Sequence, residues 1–434
     1  MYDCAPVLIK FTAFILTNIR VNYPSPYLLC KFNNGIDSQN IFRRSWCMRN
    51  SGAALSLSKK GIQKISGVPF TDGNRITLVW KDRESFQGIF DAVRAAKELI
   101  CLQFYIYRDD ETGRELAAIL KQKAAEGLRV YIIYDHFGSI CTPRSFWQEL
   151  RHAGIQIRAS RPFKWTDPFH YVHRDHRKLI IIDGTKAFTG GINIANEYRG
   201  YHRLRKRTGW RDTGIFLEGP IVVRLFDDFK KSWVIWKGEP IPFSREIEPV
   251  AHGLPSVPIF ASSARSRRKM RKLLYYSINS AKKNIFLTTA YFTPSRRLMH
   301  ILEHAVARGV DVRLLLPGRS DVSAAHFAGR AFFSRLLKAG ITIYTYNGEI
   351  LHAKTYVFDE IWSIIGSANL DFQSLRRNDE GNVGILDHTF GRQMAEMYYE
   401  DITRSEKLTI EHWQRRPLHE KLREYFFAFF RRRL

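Results

Sequence analysis

HRKLIIID, at residues 176–183, is repeated as HAKTYVFD at residues 352–359. Both copies read HxKxxxxD, and each is followed by a glycine-containing tetrapeptide, GGIN at 190–193 and GSAN at 366–369. The Asn lies 17 positions after the His in both copies. A single HxK arises often by chance, whereas two copies with the same Asp, Gly and Asn offsets indicate an internal duplication of the chain.

Shorter matches on both sides of the octapeptides extend the duplication. They pair residues 95–100 with 280–285, 125–130 with 307–312, and 152–157 with 338–343. In the second and third pairs a helix-like segment stops at a Gly and a β-branched segment begins. Helices that alternate with short β-branched segments are typical of an α/β unit with a largely buried sheet. The sequence therefore predicts an α/β fold made of two similar sandwich halves.

The repeated segments also define the domain organisation. We predict a first half at residues 67–240 and a second half at residues 259–411, joined by a Pro-rich linker at 241–258. Residues 1–66 show no clear periodicity and are interpreted as a variable N-terminal extension. Residues 412–434 combine basic residues with the aromatic run YFFAFF and are predicted to form a basic aromatic helix.

The composition narrows the class of protein. Among the 434 residues, 45% are hydrophobic and 25% are charged, which is typical of a globular protein and excludes a collagen, a disordered polymer and a polytopic membrane protein. The formal net charge of +26 favours a polyanionic partner: nucleic acid, an anionic membrane surface or phosphorylated small molecules. No stretch reaches the ~18 consecutive apolar residues of a spanning helix.

The spacing of the octapeptide indicates phosphate chemistry. Side chains alternate along a strand, so His176 and Lys178 share a face, as do His352 and Lys354. A lysine can hold the anionic oxygens of a phosphate while a neutral imidazole approaches the phosphorus. One histidine can form a covalent intermediate, and the second can act as general acid and then as general base. The two copies therefore predict one two-histidine phosphodiester site at the interface between the halves.

The last residue of each octapeptide, Asp183 or Asp359, belongs to the motif and is included among the catalytic candidates. Asp183 lies at an odd offset of seven residues from His176, so a continuous strand points it to the opposite face. We therefore expect it to fix the strand end or the neighbouring half rather than to touch its own imidazole. A proton-shuttling histidine usually needs a carboxylate on its other nitrogen, and Asp212 and Glu380 are the better candidates. The alternative for both is an ordinary surface ion pair.

The glycine-containing tetrapeptides supply the remaining candidates for phosphate binding or orientation. Gly191 permits close backbone approach to a phosphate, and Ser367 at the matching position adds a hydroxyl. Asn193 and Asn369 could supply amide donors. The alternative is a tight turn with no ligand.

At these residues the sequence resembles the phospholipase D superfamily, and more narrowly the bacterial cardiolipin synthases of phospholipase D type. The resemblance covers about residues 67–434 and includes LQFYIY at 102–107 and AYFTP at 290–294. It implies two similar α/β halves around one active site, with no metal and no cofactor. It also implies that His176 attacks phosphorus, while His352 protonates the leaving alcohol and then deprotonates the acceptor.

The resemblance further implies that acidic residues at the positions of Asp212 and Glu380 partner the histidines. Many cardiolipin synthases begin with two spanning helices, and none is visible in this sequence. The chain thus resembles the shorter branch that lacks those helices.

Three functions fit these residues. The first is a phosphatidyltransferase that converts two phosphatidylglycerol molecules into cardiolipin and glycerol through a phosphohistidine. The second is a phospholipase D that uses water as the acceptor. The third is a nuclease, for which basic runs at 199–207 and 265–272 could track a phosphate backbone, although either run could also be a solvated basic face.

The C-terminal helix is the feature that separates the two lipid functions from the nuclease, whereas the dryness and shape of the acceptor side separate the transferase from the phospholipase D. A basic aromatic helix suits the interfacial layer of an anionic membrane, and a soluble nuclease has little need of one. The alternative is a terminal helix packed on the core with a solvated Arg tail. We therefore expect phospholipid substrates, a peripheral location on the cytoplasmic face of the bacterial cell membrane, and nucleic acid as the least favoured partner.

Overall fold

The computed structural model describes residues 57–163, 173–200 and 209–430. Most of the predicted N-terminal extension, most of the basic run at 199–207 and the last four residues lie outside the described part. Along the described residues, no helix is both long and apolar enough to cross a bilayer.

The strands of the described residues are numbered in chain order. In the first half they are β1 (Thr71–Val79), β2 (Leu99–Phe104), β3 (Arg129–Asp135), β4 (Gln156–Ser160), β5 (Leu179–Ile182), β6 (Lys186–Gly190) and β7 (Gly214–Glu218). In the second half they are β8 (Leu254–Ala261), β9 (Asn284–Thr288), β10 (Asp311–Pro317), β11 (Thr342–Tyr346), β12 (Thr355–Phe358), β13 (Trp362–Gly366), β14 (Glu380–Leu386) and β15 (Ser405–Lys407).

The helices are numbered in the same way. In the first half they are α1 (Lys59–Ser66), α2 (Asp82–Arg94), α3 (Glu111–Ala125), α4 (Arg144–His152), α5 (Asn196–Arg199) and α6 (Ile221–Ile235). In the second half they are α7 (Ala264–Ser280), α8 (Arg296–Ala307), α9 (Ser323–Arg330), α10 (Phe333–Lys338), α11 (Phe372–Arg376), α12 (His388–Thr403), α13 (Ile410–Gln414) and α14 (Leu418–Phe429).

The strand order repeats across the middle of the sheet. Outward from the centre, the first half runs β1-β7-β6-β5-β2-β3-β4 and the second runs β8-β14-β13-β12-β9-β10-β11-β15. Antiparallel pairing of β1 with β8 joins the two halves. Each strand of the first half has a counterpart in the second, with β15 added at one edge. The predicted α/β fold of two similar halves is therefore confirmed.

Burial explains why the repeated apolar segments form this sheet. All residues of β2 and of β5 are buried. One hydrophobic cluster covers the outer face of each half, and a third combines residues of both halves around α6 and α12. This shared core holds the two halves together, and burial on both faces accounts for the nearly continuous apolar sequence of the strands.

Helix-terminating glycines lie where the repeats predict them. Gly127 follows α3 with φ 91°, and Gly309 follows α8 with φ 85°. These left-handed conformations are easily adopted by glycine, so each helix stops and the chain turns into the next strand.

Three predicted boundaries differ from the structure. The strand β8 begins at Leu254, inside the predicted linker 241–258, because Leu254 already pairs with Asn74 of β1 and the strand then pairs with β14 from Ser256 onward. Residues 59–66 form α1, which packs on α7 of the second half and buries Ile62, although the sequence showed no periodicity there. The predicted C-terminal helix is two helices, α13 and α14, separated before Pro417.

Candidate active site

The two histidines lie immediately before equivalent strands. His176 and Lys178 precede β5, and His352 and Lys354 precede β12, all with side chains almost fully buried. The halves therefore present their octapeptides in the same way to the interface.

His176 is completed by a carboxylate of the second half. Nδ1 of His176 lies 3.0 Å from Oε2 of Glu380, which is fully buried. Ser367 donates its hydroxyl to the same Oε2 at 2.5 Å. An ionised carboxylate only accepts, so Nδ1 carries the proton and Nε2 of His176 keeps its lone pair for a reacting atom.

His352 is completed by a carboxylate of the first half. Its Nδ1 lies 2.7 Å from Oδ2 of Asp212, and the backbone N–H of Thr213 donates to the other carboxylate oxygen at 2.7 Å. Gly191 makes room for this carboxylate, since a Cβ at that position would lie 2.0 Å from Oδ1 of Asp212. The matching residue in the second half is Ser367. The carboxylate of Glu380 therefore accepts from a side-chain hydroxyl, whereas the carboxylate of Asp212 occupies the space left by a glycine, which has no side chain.

Two short parallel bridges between the halves explain the crossed pairing. Asp175 pairs with Asp379 in one bridge, and Arg211 pairs with Leu351 in the other. In each bridge the N–H of the histidine donates to the carbonyl of the residue before the carboxylate, at 2.8 Å. The residue after each bridge is a histidine in one half and a carboxylic acid in the other. The bridge thereby places these two side chains next to each other.

Buried ion pairs hold these bridging segments in place. Arg211 donates in a bidentate manner to Asp401, with both N–O distances at 2.7 Å. Asp379 accepts from Arg161 at 2.5 Å and from Arg267 at 3.1 Å. Both Arg211–Asp401 and Arg161–Asp379 join one half to the other, so the segments that carry Asp212 and Glu380 are fixed on either side of the interface.

Both lysines fold back on their own histidines. Lys178 donates to the carbonyl oxygen of His176 at 2.7 Å. Lys354 donates to the carbonyl oxygen of His352, and its Nζ lies over the edge of that ring, 2.6 Å from Nδ1 and 3.1 Å from Nε2. An ammonium group therefore lies beside each histidine, as the strand alternation predicts.

Burial and the lysines set the protonation of the histidines. Burial, followed by the charge of Lys178, lowers the pKa of His176 to about 4. Burial and then Lys354 also lower the pKa of His352. At neutral pH the free protein therefore has neutral imidazoles, which is the form that a nucleophile needs.

The other charged groups of the site shift as well. Burial alone would raise the pKa of Asp212 and of Glu380, but the neighbouring histidines and lysines hold both pKa values below their usual range. Burial lowers the pKa of Lys178 to about 7 and that of Lys354 to about 8. The carboxylates are thus ionised at neutral pH, while the lysines titrate close to it.

Aromatic rings line the site, and the sequence reasoning missed them. Tyr105 packs edge-on against His176, with centroids 4.9 Å apart. Around His352 lie Tyr198, Trp210 and Tyr291, at centroid distances of 5.3, 5.5 and 6.2 Å. Tyr105 and Tyr291 lie in the apolar segments at the ends of β2 and β9. An aromatic residue after the same strand in both halves was therefore the sequence signal that could have identified these two site residues.

The two asparagines orient this aromatic wall. Asn193 accepts from the backbone N–H of Ile106 at 3.1 Å and donates to the hydroxyl of Tyr198 at 2.7 Å. Asn369 accepts from the backbone N–H of Tyr291 at 3.3 Å. The amide donor of Asn193, expected for a phosphate, is therefore taken up by the protein itself.

Asp183 and Asp359 do not lie at the site, which corrects their inclusion among the catalytic candidates. Asp183 follows β5 and accepts from the backbone N–H groups of residues 97–99, at 2.8 to 3.2 Å. Asp359 accepts from those of residues 282–284 in the same way. Both have positive φ, 51° and 54°. Each ends its strand and anchors the start of the neighbouring one, as the odd offset from the histidine suggested.

The second basic run is only partly available to a ligand. It lies on α7, where Arg267 pairs with Asp379 and Arg271 donates to the carbonyl of Leu375. Arg265 and Arg268 are exposed. In the part of the chain that the structure describes, no three His, Cys, Asp or Glu side chains are grouped as metal ligands.

Comparison with known proteins identifies the family. The family model described as "Cardiolipin synthase, PLD-like domain" matches residues 89–207 and 274–402. The chain is 34% identical over 367 residues to cardiolipin synthase A of Pseudomonas fluorescens (strain SBW25), covering 84% of this chain and 75% of that protein. It is 34% identical over 348 residues to cardiolipin synthase 2 of Bacillus anthracis, covering 79% of this chain and 67% of that protein.

Among solved structures, phosphatidylserine synthase of Haemophilus influenzae Rd KW20 has a similar fold. Its TM-score is 0.65 with 14% sequence identity, and the match covers 87% of this chain and all of that one. At this identity the likeness concerns the fold alone. The family match and the two relatives show that the chain belongs to the cardiolipin synthase family of phospholipase D-like proteins.

Proposed function

We propose that this protein is a phosphatidyltransferase that makes cardiolipin from two phosphatidylglycerol molecules and releases glycerol. The crossed contacts of His176 with Glu380 and of His352 with Asp212 carry this proposal, because they orient two buried imidazoles with Nε2 directed away from the carboxylates. The relatives named cardiolipin synthase support the choice of substrate.

In the first step Nε2 of His176 attacks the phosphorus of the donor lipid. A P–N bond forms and the P–O bond to the glycerol headgroup breaks, so the phosphatidyl group is held on His176. His352, protonated on both nitrogens in the donor complex, gives its Nε2 proton to the departing glycerol oxygen. Asp212 and the lipid phosphate stabilise that imidazolium, and Lys178 and Lys354 hold the non-bridging oxygens.

In the second step a hydroxyl of another phosphatidylglycerol attacks the phosphohistidine. The neutral His352 takes the hydroxyl proton on Nε2 while the new P–O bond forms. The P–N bond breaks and its electron pair returns to His176. When cardiolipin leaves, His352 releases that proton to solvent and returns to its neutral form, and it takes up a proton again when the next donor lipid binds.

The aromatic wall supports an alcohol rather than water as the acceptor. Tyr198, Trp210 and Tyr291 surround His352, which is the residue that must deprotonate the acceptor. A site lined by aromatic rings disfavours bulk water and accommodates the glycerol backbone of a lipid. A phospholipase D, with water in place of the second lipid, is the alternative that uses the same residues.

The proposed location follows from the substrate. Phosphatidylglycerol is an anionic membrane lipid, and a chain with a net charge of +26 is attracted to an anionic surface. We place the protein as a peripheral enzyme on the cytoplasmic face of the bacterial cell membrane.

Incubation of the purified chain with phosphatidylglycerol vesicles, with a chelator present, tests the proposal. Mass spectrometry should detect cardiolipin and an equimolar amount of glycerol. Protein carrying His176→Ala is the matched control and should form neither. Phosphatidic acid in place of cardiolipin would establish the phospholipase D instead, and the absence of both products would overturn the proposed substrate.

A further inference from the structure

The C-terminal helix α14 is docked with its charged side towards the protein. Glu424 is 1% exposed, although a carboxylate is rarely buried without partners. It accepts from Arg330 at 3.0 Å and from Arg416 at 2.7 Å. Arg330 also pairs with Glu420, one turn earlier on the helix. The inner face of α14 is therefore held by buried ion pairs, with the apolar contacts of Phe427 and Ala428 beside them.

The apolar side of α14 faces outward. Its side chains, between 61% and 83% exposed, are those of Leu418, Leu422, Tyr425, Phe426 and Phe429. Their spacing of i, i+4, i+7, i+8 and i+11 places all five on one stripe, about 100° wide. The described part of the chain exposes ten large apolar side chains, and five of them belong to this stripe. A soluble protein normally buries such a stripe against its core.

The packing below the helix prevents the stripe from turning inward. Phe427 stacks on Phe327 of α9, with centroids 6.0 Å apart, and Ala428 is buried. Arg416 lies over the ring of Trp413, 4.3 Å from its centroid, while it pairs with Glu424. Rotating α14 would leave that buried carboxylate without partners, which is strongly unfavourable.

Charge around the stripe identifies the occupant that it fits. Arg423 is exposed beside the stripe, and Arg431, Arg432 and Arg433 follow in the sequence. Aromatic and leucine side chains flanked by arginines match the interfacial layer of an anionic bilayer. A second copy of the chain would bring the same net charge of +26 and would be repelled.

The stripe is connected to the active site through one helix. α14 packs on α9, which begins two residues after Asp321. The carboxylate of Asp321 accepts from the hydroxyl of Tyr291 at 2.7 Å, and the ring of Tyr291 faces that of His352. The helix that carries the stripe therefore packs on the segment that follows Asp321, and Asp321 holds the ring of Tyr291 beside His352.

We infer that the outward stripe of α14 docks on an anionic lipid surface and presents the His352 side of the site to that surface. The inference rests on the proposed function for its choice of a lipid partner, but the docking itself requires no turnover. Bilayer binding inserts the five side chains at the level of the headgroups, and the neighbouring arginines meet lipid phosphates.

The test compares two double variants of the full chain. F426N/F429N alters the stripe, and V234N/I235N is the matched control, because it changes two exposed apolar residues of α6. Cosedimentation with phosphatidylcholine vesicles, with and without phosphatidylglycerol, measures binding. We expect F426N/F429N to weaken binding to the phosphatidylglycerol vesicles by about tenfold or more, and V234N/I235N to bind as the unaltered protein does.

Turnover of a soluble, short-chain phosphatidylglycerol separates the two proposals. F426N/F429N should turn over this substrate at the unaltered rate, which also shows that the variant is folded. Vesicle binding that is unchanged in F426N/F429N, or absent in the unaltered protein, would overturn the docking surface. An unaltered protein that binds vesicles through the stripe but turns over no phosphatidylglycerol would overturn the proposed function and leave the docking surface standing.

Discussion

Nδ1 of His352, in the second half of the chain, lies 2.7 Å from the carboxylate of Asp212, in the first half. His176 and Glu380 form the reciprocal pair. Each half therefore contains a histidine and a lysine but lacks the carboxylate that orients that histidine. The complete site exists only where the halves meet, and the backbone bridges and buried ion pairs beside the histidines hold that meeting point in register.

Substitution of either histidine should stop turnover. We expect His176→Ala and His352→Ala each to lower kcat by at least about 10³, because nucleophile and acid–base groups that act as a unit are not replaced by the rest of the site. His300→Ala, on the exposed side of α8, is the control and should retain activity. Wild-type rates in both variants would contradict the two-histidine mechanism.

The His352→Ala variant should also reveal the intermediate. Without the base that activates the acceptor, the phosphatidyl group should accumulate on His176. Intact-protein mass spectrometry at neutral pH would detect the added mass, since phosphohistidine is labile in acid. A phosphatidyl group found on His352 in the His176→Ala protein would instead identify His352 as the nucleophile and His176 as the acid.

Removal of the charge of Glu380 should reduce kcat more than it changes KM. Glu380→Gln keeps the size of the side chain but no longer stabilises the Nδ1–H tautomer of His176, and loss of this function costs about 10²–10⁴ in rate. Steady-state kinetics on short-chain phosphatidylglycerol would measure both constants. Glu218→Gln, in a surface ion pair, is the control. A kcat within about twofold of the unaltered value would show that the crossed contact is structural only.

The lysines should impose a basic limit on kcat/KM. Lys178 and Lys354 are cationic below their pKa values of about 7 and about 8 and lose that charge as the pH rises. Since the phosphate oxygens require the cations, and His352 must also take up a proton when the donor binds, kcat/KM of the free enzyme should fall more steeply as the pH rises through about 7 to 8. The bound lipid phosphate favours the charged lysines, so the basic limb of kcat should lie at higher pH. Superimposable pH profiles of kcat and kcat/KM would contradict this assignment.

The two aspartates that end the octapeptides should affect stability rather than chemistry. Asp183→Asn removes the charge that accepts three backbone N–H groups but keeps a residue that tolerates positive φ. We expect the free energy of unfolding to fall by about 1–2 kcal/mol, measured by urea denaturation, with kcat unchanged. Asp72→Asn, in an exposed ion pair, should cost less than about 0.5 kcal/mol. A large loss of kcat in folded Asp183→Asn protein would restore the catalytic assignment.

The repeat predicted most of the fold because both halves obey the same local rules. Segments such as 125–130 and 307–312 join a helix, a glycine and a strand, and this order needs no distant contact to be read. Where the local signal was weak, the prediction was wrong or incomplete. Residues 59–66 form a helix that is stabilised by packing on α7, and β8 begins among prolines because β1 and β14 supply its partners.

The sequence by itself determined the duplication, the α/β fold, and the His and Lys residues that each half presents, because periodicity and spacing along one chain carry this information. Only the tertiary structure decided which carboxylate serves which histidine. That choice depends on backbone bridges between residues more than 130 positions apart, such as Arg211 with Leu351. The tertiary structure also decided which face of α14 points outward. The apolar pattern of the helix by itself predicts that its apolar face packs on the core, but the ion pairs of the buried Glu424 hold the opposite face there.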